Sequence, residues 1–331
     1  MNRTCPDPTD FPASDSLQEQ VRFLLHYAIL APSSHNSQPW LFRMVGDRLE
    51  VLADDSRWLQ VADADRRELY LSVGCALENL LVAAEHFGLE HTVHYCPDPA
   101  DELLAAKVEF SPPGEPGVSR PPELFDAIPV RHTNHQPYDE RLVAEEIQRR
   151  LQDIVHDPGV HLWLTGDPQI RDSVNELVVR ADAVQFADPA YRRELAHWIG
   201  QGVFGTSWLM SKMGSLAVSY LNMGKPQGTK DSALLMSAPV LGLITGNDDR
   251  RETQIRAGQV YERIALLAAS EGLWTHPMSQ IMEVPECRVE VARLLPGDGG
   301  IPLHPFRLGF AAPEETRTPR RPLAEVLAGG W

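Results

Sequence analysis

Residues 31–40 concentrate side chains that can bind a polar ligand. The sequence APSSHNSQPW places Ser33, Ser34, Asn36 and Gln38 on a turn-rich stretch between two prolines. Hydroxyl and amide groups both donate and accept hydrogen bonds, so this loop fits a ligand whose rim carries donors and acceptors. The same residue types also form ordinary Asx and Ser/Thr turns, and composition alone leaves both interpretations open.

Two further segments collect positive charge. The first, RHTNHQPY at residues 131–138, holds an arginine, two histidines and a hydroxyl within five positions, a set that suits a phosphate group. The second, TRTPRRPL at residues 316–323, is one of the few places where arginines cluster. Taken singly, each segment also fits a solvated, charged loop.

The overall charge makes these two segments the places to search for an anion site. The 331 residues carry a formal net charge of −16, which repels nucleic acids and anionic membranes at long range. A bound anion must therefore be held by a local cluster of positive groups. The four cysteines are scattered without a CxxC pair, which argues against structural zinc and predicts free thiols and no metal site.

The sequence gives no sign of export or membrane insertion. No apolar run approaches the roughly 20 residues that cross a bilayer. The first residues, MNRTCPDPTD, carry charge and proline where a signal peptide needs an apolar stretch. We therefore expect a cytoplasmic protein that acts on a small molecule, with no membrane or nucleic acid partner.

An internal repeat points to duplication. Residues 67–89 and 251–273 share seven residues at a constant offset of 184, and both have apolar residues at helical spacing and end in Gly-Leu, which fits a helix C-cap. Two unrelated amphipathic helices would also share leucine and alanine, but the coincidence of the polar and glycine positions favours duplication. The shared pairs are Arg67/Arg251, Glu68/Glu252, Gly74/Gly258, Glu78/Glu262, Ala84/Ala268, Gly88/Gly272 and Leu89/Leu273.

The remaining periodicity predicts an α+β fold. The proline-rich residues 111–123 form a natural linker between the two halves. No GxGxxG follows a strand and no GxxxxGK(S/T) occurs, so dinucleotide-binding and P-loop folds lack their markers. The other predicted elements are helices over residues 17–31 and 142–155 and strands over residues 40–44, 49–52, 160–164 and 240–245.

Together the motifs resemble the FMN-dependent nitroreductases. PSSHNSQPW is similar to a signature in the first half of those enzymes, RHTNHQPY to the arginine motif with which they begin, and RTPRRPL to their basic C-terminal segment. In ordinary members two chains intertwine, and each FMN lies between the arginine motif of one chain and the loop with the PSS signature of the other. In this sequence that loop is PSSHNSQPW, residues 32–40, and is called the PSS loop below. The order here resembles the fused Acg-like branch, in which one chain mimics that homodimer. The resemblance implies a nitroreductase-like fold with two tandem lobes, residues 1–125 and 126–331.

The resemblance also implies which residues bind FMN. Arg131 and Thr133 match contacts to the phosphate and ribityl chain, with His132 beside the flavin ring, while residues 277–280 match a stretch whose backbone lies near flavin N5. The sequence does not decide whether Arg320 or Arg321 is closer to the phosphate. The implied cofactor-binding residues are Ser33, Ser34, Asn36, Gln38, Arg131, His132, Thr133, His135, Lys230, Pro277, Met278, Ser279, Gln280, Arg320 and Arg321.

Each half lacks one of the two motifs, so the resemblance implies one composite site and one FMN per chain. Two features depart from the family pattern. His135 stands where the family generally has arginine or lysine, which makes that charge titratable. Residues 183–230 form a longer stretch, rich in aromatic residues and methionine, that is either core and packing surface or a lid over the flavin.

The implied activity is NAD(P)H-dependent two-electron reduction of nitroaromatic or quinone-like molecules by hydride transfer through flavin N5. Backbone N–H groups near residues 277–280 and a positive His132 or His135 would stabilise the reduced flavin. The alternatives are an FMN-sequestering protein with a closed lid, or a two-lobe domain with vestigial motifs. The physiological substrate, the choice between NADH and NADPH, and homo-oligomerisation beyond the pseudo-dimer stay open.

Overall fold

The computed structural model describes residues 5–111, 120–205, 218, 224–297, 299–314 and 317–331. The helices are α1 Leu17–Ala28, α2 Arg67–His86, α3 Glu123–Ala127, α4 Glu145–Asp153, α5 Pro168–Ala187, α6 Pro189–Gly200, α7 Gly224–Met236, α8 Arg251–Ser270, α9 Gln280–Glu283, α10 Pro285–Leu294 and α11 Leu323–Val326. The strands are β1 Trp40–Val45, β2 Arg48–Ala53, β3 Glu90–Tyr95, β4 Leu104–Ser111, β5 Val160–Thr165, β6 Val240–Gly246, β7 Trp274–Pro277 and β8 Ile301–Gly309. The α+β prediction is confirmed, and most of the predicted linker lies outside the described residues.

Two four-stranded antiparallel sheets share one strand order. The first runs β1-β2-β4-β3 and the second β5-β6-β8-β7, so each strand of one sheet has a counterpart at the same position in the other. Every strand predicted from periodicity forms, and no end differs from the prediction by more than one residue. The sequence analysis did not predict β3, β4, β7 and β8; of these, β8 contains Pro302 and Pro305, residues that ordinarily argue against a central strand.

Helices α2 and α8 cross at the centre of the molecule. These are the two repeated segments, and both are buried along most of their length. At the crossing, a Cβ atom on Gly74 would overlap the carbonyl oxygen of Ile255, and one on Gly258 would overlap that of Leu71. The backbones therefore touch, and only glycine permits this approach. The shared glycines of the repeat have a packing reason.

Buried ion pairs flank the crossing. The Glu78 carboxylate on α2 accepts hydrogen bonds from Arg120 at 2.6 Å and from Arg263 of α8 at 2.7 Å. At the equivalent position of α8, Glu262 pairs with Arg131 at 3.0 Å. Burial by itself would raise the pKa of Glu78, but the two guanidiniums hold it far below its ordinary value.

No helix among the described residues is long and apolar enough to span a membrane.

Replacing Gly74 or Gly258 with alanine will destabilise the fold, because the new methyl group meets the facing backbone and the helices must separate. We expect a loss of about 1–3 kcal/mol or more in the free energy of unfolding, measured by urea denaturation. Gly329→Ala is the control, since a Cβ there meets no atom within 4 Å. Equal stability of all three variants would contradict the close crossing.

Candidate functional site

A cavity of about 770 Å³ lies between the two halves of the chain, within the range of about 300–1,000 Å³ typical of small-molecule and cofactor sites. Its walls come from the loop before β1, from α2 and α8, and from segments of the second half. The cavity is lined by most of the residues that the sequence pointed to: Ser33, Ser34, Asn36, Arg131, His132, Thr133, His135, Lys230, Pro277, Met278, Ser279, Gln280 and Arg320. Gln38 and Arg321 do not line it.

The PSS loop has an unusual backbone. His35 and Asn36 have φ of 49° and Gln38 has φ of 53°, in the left-handed region that costs most residues of order 1–3 kcal/mol. Two hydroxyls fasten the loop: the Ser33 Oγ accepts from the Gln38 N–H at 2.9 Å, and the Ser34 Oγ donates to the Glu68 carboxylate at 2.7 Å. The surrounding structure therefore fixes a conformation that the loop alone would not keep.

The PSS loop is also hydrogen-bonded to the basic segment, residues 317–323. The Asn36 Nδ2 donates to the carbonyls of Val203 at 2.7 Å and Pro319 at 3.0 Å. The Gln38 Oε1 accepts from the Arg321 N–H at 2.7 Å. Gln38 is 3% exposed, so its amide joins two parts of the protein and stays outside the cavity. The two motifs form one structural unit.

Adjacent arginines in that segment point in different directions. Arg320 lines the cavity and donates to the Asn36 Oδ1 at 2.9 Å. Arg321 turns away and pairs with Asp54 at 3.1 Å. The sequence left the choice between them open, and the structure brings Arg320 to the cavity.

Three guanidiniums gather at one end of the cavity. Arg131 and Arg320 donate to the same carbonyl, that of Leu30, at 3.1 and 3.0 Å. Arg317 also lines the cavity. Burial, together with the Arg131 charge, lowers its pKa. Its buried NH1 has no hydrogen-bond partner among the residues that the structure describes. Such a cluster suits a phosphate or another multiply charged anion.

Arg317 was not among the predicted site residues. The sequence signal was present, since this arginine belongs to the same RTPRRPL motif as Arg320. Spacing alone could not show which of the arginines in an irregular segment face one side, because the segment has no helical or strand periodicity.

His132 is neutral, contrary to the expectation of a positive charge beside the cofactor. Burial lowers its pKa to about 4. Its ring nitrogens contact the Val130 carbonyl at 3.1 Å and the Glu314 N–H at 3.1 Å, and its ring lies 4.1 Å from that of Trp274. His135 is half-exposed and lies 3.5 Å from the Glu314 carboxylate.

The stretch 277–280 connects the last residue of β7 to the first residue of α9. Met278 is 2% exposed and its N–H donates to the Pro305 carbonyl at 2.9 Å. That N–H is therefore used within the protein. On α7, Lys230 completes this side of the cavity.

Residues from the stretch 183–230, for which a lid was one interpretation, line one side of the cavity. Apolar residues Tyr191, Leu195 and Ile199 of α6 line it, as does Phe204. The Glu194 carboxylate fastens α6 to the first half by accepting the N–H groups of residues 61 and 62 at 3.0 and 2.9 Å. The part of the predicted lid at residues 206–217 and 219–223, with Trp208 and Met213, lies outside the described residues.

Comparison with known proteins finds relatives that align with this chain over most of their own length. In Mycobacterium tuberculosis strain H37Rv, "Putative NAD(P)H nitroreductase Rv3131" is 31% identical over 330 residues, covering 93% of this chain and 91% of that protein. "Putative NAD(P)H nitroreductase acg" of the same strain is 28% identical over 321 residues, covering 93% and 95%. Among solved structures, the FMN-dependent nitroreductase NfnB from Mycobacterium smegmatis in complex with NADPH aligns with a TM-score of 0.44 and 16% identity, over 63% of this chain and 98% of that one. No family model matches.

Replacing Asn36 with alanine will loosen the basic segment, because the carbonyls of Val203 and Pro319 and the guanidinium of Arg320 each lose one hydrogen bond. We expect a loss of about 1–3 kcal/mol in unfolding free energy and faster hydrogen exchange in residues 317–331. Asn247→Ala is the control, since that exposed side chain makes a single hydrogen bond to His161. Unchanged exchange in Asn36→Ala would show that other contacts hold the segment.

Proposed function

This chain belongs to the NAD(P)H nitroreductase family, and from that premise we propose that it is an FMN-dependent oxidoreductase with one FMN in the cavity. The observation that carries the proposal is the cluster of Arg131, Arg317 and Arg320 at one end of a cavity of cofactor size. In a chain with a net charge of −16, three converging guanidiniums form a strong local anion site. A phosphate monoester that enters there gains charge-assisted hydrogen bonds.

The remaining lining residues fit the other parts of FMN. Ser33 and Thr133 offer hydroxyls for a polar chain, while Leu71, Tyr261 and Met278 provide an apolar wall for a planar ring. The Arg317 NH1 is a buried donor that lacks a partner among the described residues, and buried donors ordinarily have one. A bound phosphate would supply it.

When bound, FMN accepts a hydride from NAD(P)H and passes two electrons to an electron-poor acceptor. The chain's own residues bind and orient the cofactor and exclude water from its ring. The neutral His132 offers a polar surface without a fixed charge. We propose nitroaromatic and quinone-like compounds as the acceptors.

We further propose that residues 1–125 and 126–331 are two nitroreductase-like lobes and that one chain takes the place of a homodimer. The matching strand orders of the two sheets and the α2–α8 crossing support this. The PSS loop comes from one lobe and the arginine motif from the other, and each occurs once. One composite site follows.

Purified protein will therefore carry FMN at about one per chain, and NADPH or NADH will bleach it under nitrogen. Acid release with chromatography identifies the flavin, and absorbance spectroscopy follows the bleaching. FAD, two flavins per chain, or colourless protein that takes up no added FMN would contradict the proposal.

Arg317→Ala is the sharpest variant for this experiment. Loss of one charge-assisted phosphate contact costs about 1.5–3 kcal/mol, so FMN affinity will fall by about one to two decades. Arg131→Ala is less clean, because it also removes the partner of the buried Glu262 carboxylate and weakens the fold. The exposed Arg48, paired with Glu109 on the surface, gives the matched control Arg48→Ala.

A second candidate function is FMN sequestration. The hydrogen bonds that hold α6 against the first half of the chain favour it. If α6 stays closed, NAD(P)H cannot reach the ring and the protein stores the cofactor with little turnover. The hydrogen bonds between Glu194 and the N–H groups of residues 61 and 62 must break before α6 can move and admit NAD(P)H.

Glu194→Ala will raise the rate at which NADPH bleaches the flavin, by about tenfold or more if opening limits the reaction, since hydrogen bonds to a charged group contribute about 1.5–3 kcal/mol. Dithionite, a small reductant, will bleach both proteins at the same rate. Arg193→Ala, an exposed change on the same helix, is the control. If the unmodified protein reacts with NADPH as fast as Glu194→Ala does, α6 is a fixed wall and no gate.

A further inference from the structure

Arg307 of β8 is a buried guanidinium that lies behind one wall of the cavity. It is 0% exposed, and it donates to three backbone carbonyls at 3.0–3.2 Å. Its guanidinium carbon lies 4.0 Å from the centre of the Tyr138 ring. Asp231 and Glu314 act on its charge without forming an ion pair, and no other carboxylate among the described residues pairs with it. A buried charge without an ion-pair partner is costly, so a negative group in the cavity would stabilise this one.

His276 of β7 connects this charge to the cavity. The Arg307 Nε and Nη2 donate to the His276 Nδ1 at 3.1 and 3.0 Å. A guanidinium has only donors, so Nδ1 accepts both bonds and the ring proton lies on Nε2. His276 lines the cavity whereas Arg307 does not, and its Nε2 has no partner within the part of the chain that the structure describes. The ring therefore presents one N–H donor of fixed position to the cavity.

His132 differs from His276 in this respect. Its Nδ1 contacts the Val130 carbonyl, which only accepts, and its Nε2 accepts from the Glu314 N–H. Both ring nitrogens are used within the protein, so His132 has no N–H left for a ligand. Of these two histidines, His276 is the one that can donate to a group in the cavity.

The surroundings of His276 keep its ring neutral. Burial, and next the positive charges of its neighbours, lower its pKa well below the ordinary value. A second proton would also have to enter at Nδ1, where two N–H groups of Arg307 already point. The donor therefore stays the same across neutral pH. The charged or titratable groups that act on His276 and Arg307 are His135, Lys230, Tyr138, Asp231 and Glu314.

We propose that the Nε2–H of His276, held in place by Arg307, donates a hydrogen bond to the ring of bound FMN and favours the reduced cofactor over the oxidised one. The inference rests on the proposed function and names the residues that set the reduction potential of its cofactor. His276 lies two residues before Met278, which the proposed function places against the flavin ring, and both line the cavity.

The change of charge on reduction gives the physical reason. A hydride from NAD(P)H carries two electrons and one proton, so the FMN that accepts it gains one negative charge and the oxidised nicotinamide leaves. A hydrogen bond to a charged acceptor is about twice as strong as one to a neutral acceptor. The buried charge of Arg307 adds an attraction that water screens little. His276 and Arg307 therefore stabilise reduced FMN more than oxidised FMN.

The experiment measures the midpoint potential of FMN in the purified, FMN-loaded protein, by anaerobic reduction in the presence of reference dyes. His276→Leu removes the donor, so reduced FMN will lose about ten- to a hundredfold in affinity relative to oxidised FMN. For a two-electron couple the midpoint will fall by about 30–60 mV. His276→Gln, whose amide still offers an N–H, will recover most of this loss. His161→Leu, the same change at an exposed histidine outside the cavity, will match the unmodified protein.

An FMN-loaded His276→Leu protein with an unchanged midpoint would overturn this role, as would a midpoint of His276→Gln as low as that of His276→Leu. Protein that takes up no FMN would remove the proposed function together with this role, whereas the unchanged midpoint removes this role alone.

Nitrogen-15 NMR of the histidine side chains gives a second measurement on the unmodified protein, which does not depend on the folding of His276→Leu. The imidazole signal that is absent from His276→Gln will show a proton on Nε2 at every pH from about 5 to about 9. Addition of FMN to the FMN-free protein will shift this signal. A proton on Nδ1, or a signal that FMN does not move, would overturn the inference.

Discussion

The backbone contact between α2 and α8 is the constraint on which the rest of the structure depends. At Gly74 and Gly258 each helix packs against a carbonyl of the other, so the distance between the two sheets is set by main-chain atoms. Side-chain packing tolerates adjustment, whereas backbone contact does not. Leu71 and Cys75 of α2 and Tyr261 of α8 line the cavity beside this crossing. The close approach at the two glycines therefore positions part of the cavity wall.

The buried ion pairs next to the crossing favour one arrangement of the segments that pack against the two helices. Glu78 and Glu262 occupy equivalent positions in the two helices, and each draws in arginines from outside its own helix. A buried ion pair contributes little net stability, but a single partner left alone is costly. The pairs therefore favour one arrangement of the segment that contains Arg120 and Arg131. Arg131 reaches the cavity because Glu262 holds it there.

Much of the fold could be predicted from the sequence, for reasons visible in particular elements. The repeated helices were found from coincident Gly, Glu and Gly-Leu positions, and these are the residues that make the crossing, the buried pairs and the helix ends. The strands β7 and β8 were missed, because β7 is only four residues long and β8 contains prolines. Local patterns report local structure, and these strands exist through their tertiary partners.

The candidate site shows the same difference between residues that belong to local motifs and residues that depend on distant contacts. The motifs gave the loop and the two basic segments, and most of their residues line the cavity. Arg320 and Arg321 could not be told apart, and Arg317 was not predicted, because the direction of a side chain in an irregular segment is set by distant partners such as Asp54. Other residues that line the cavity had no local signature: Asp182, Asp231 and Glu283 come from three helices and resemble ordinary surface acids in the sequence.

The hydrogen bonds between the PSS loop and the basic segment have a consequence for the order in which parts of the protein fold during synthesis. Asn36 and Arg320 are separated by 284 positions, and Asn36 and Gln38, two of the residues with a left-handed backbone, both hydrogen-bond to the basic segment. During synthesis the loop emerges early, whereas the residues that hold it, Pro319 to Arg321, emerge only after the last strand, β8. A nascent chain can therefore begin to bury α2 before the cavity is complete. Completion of the cavity is a late event, which follows the folding of the core.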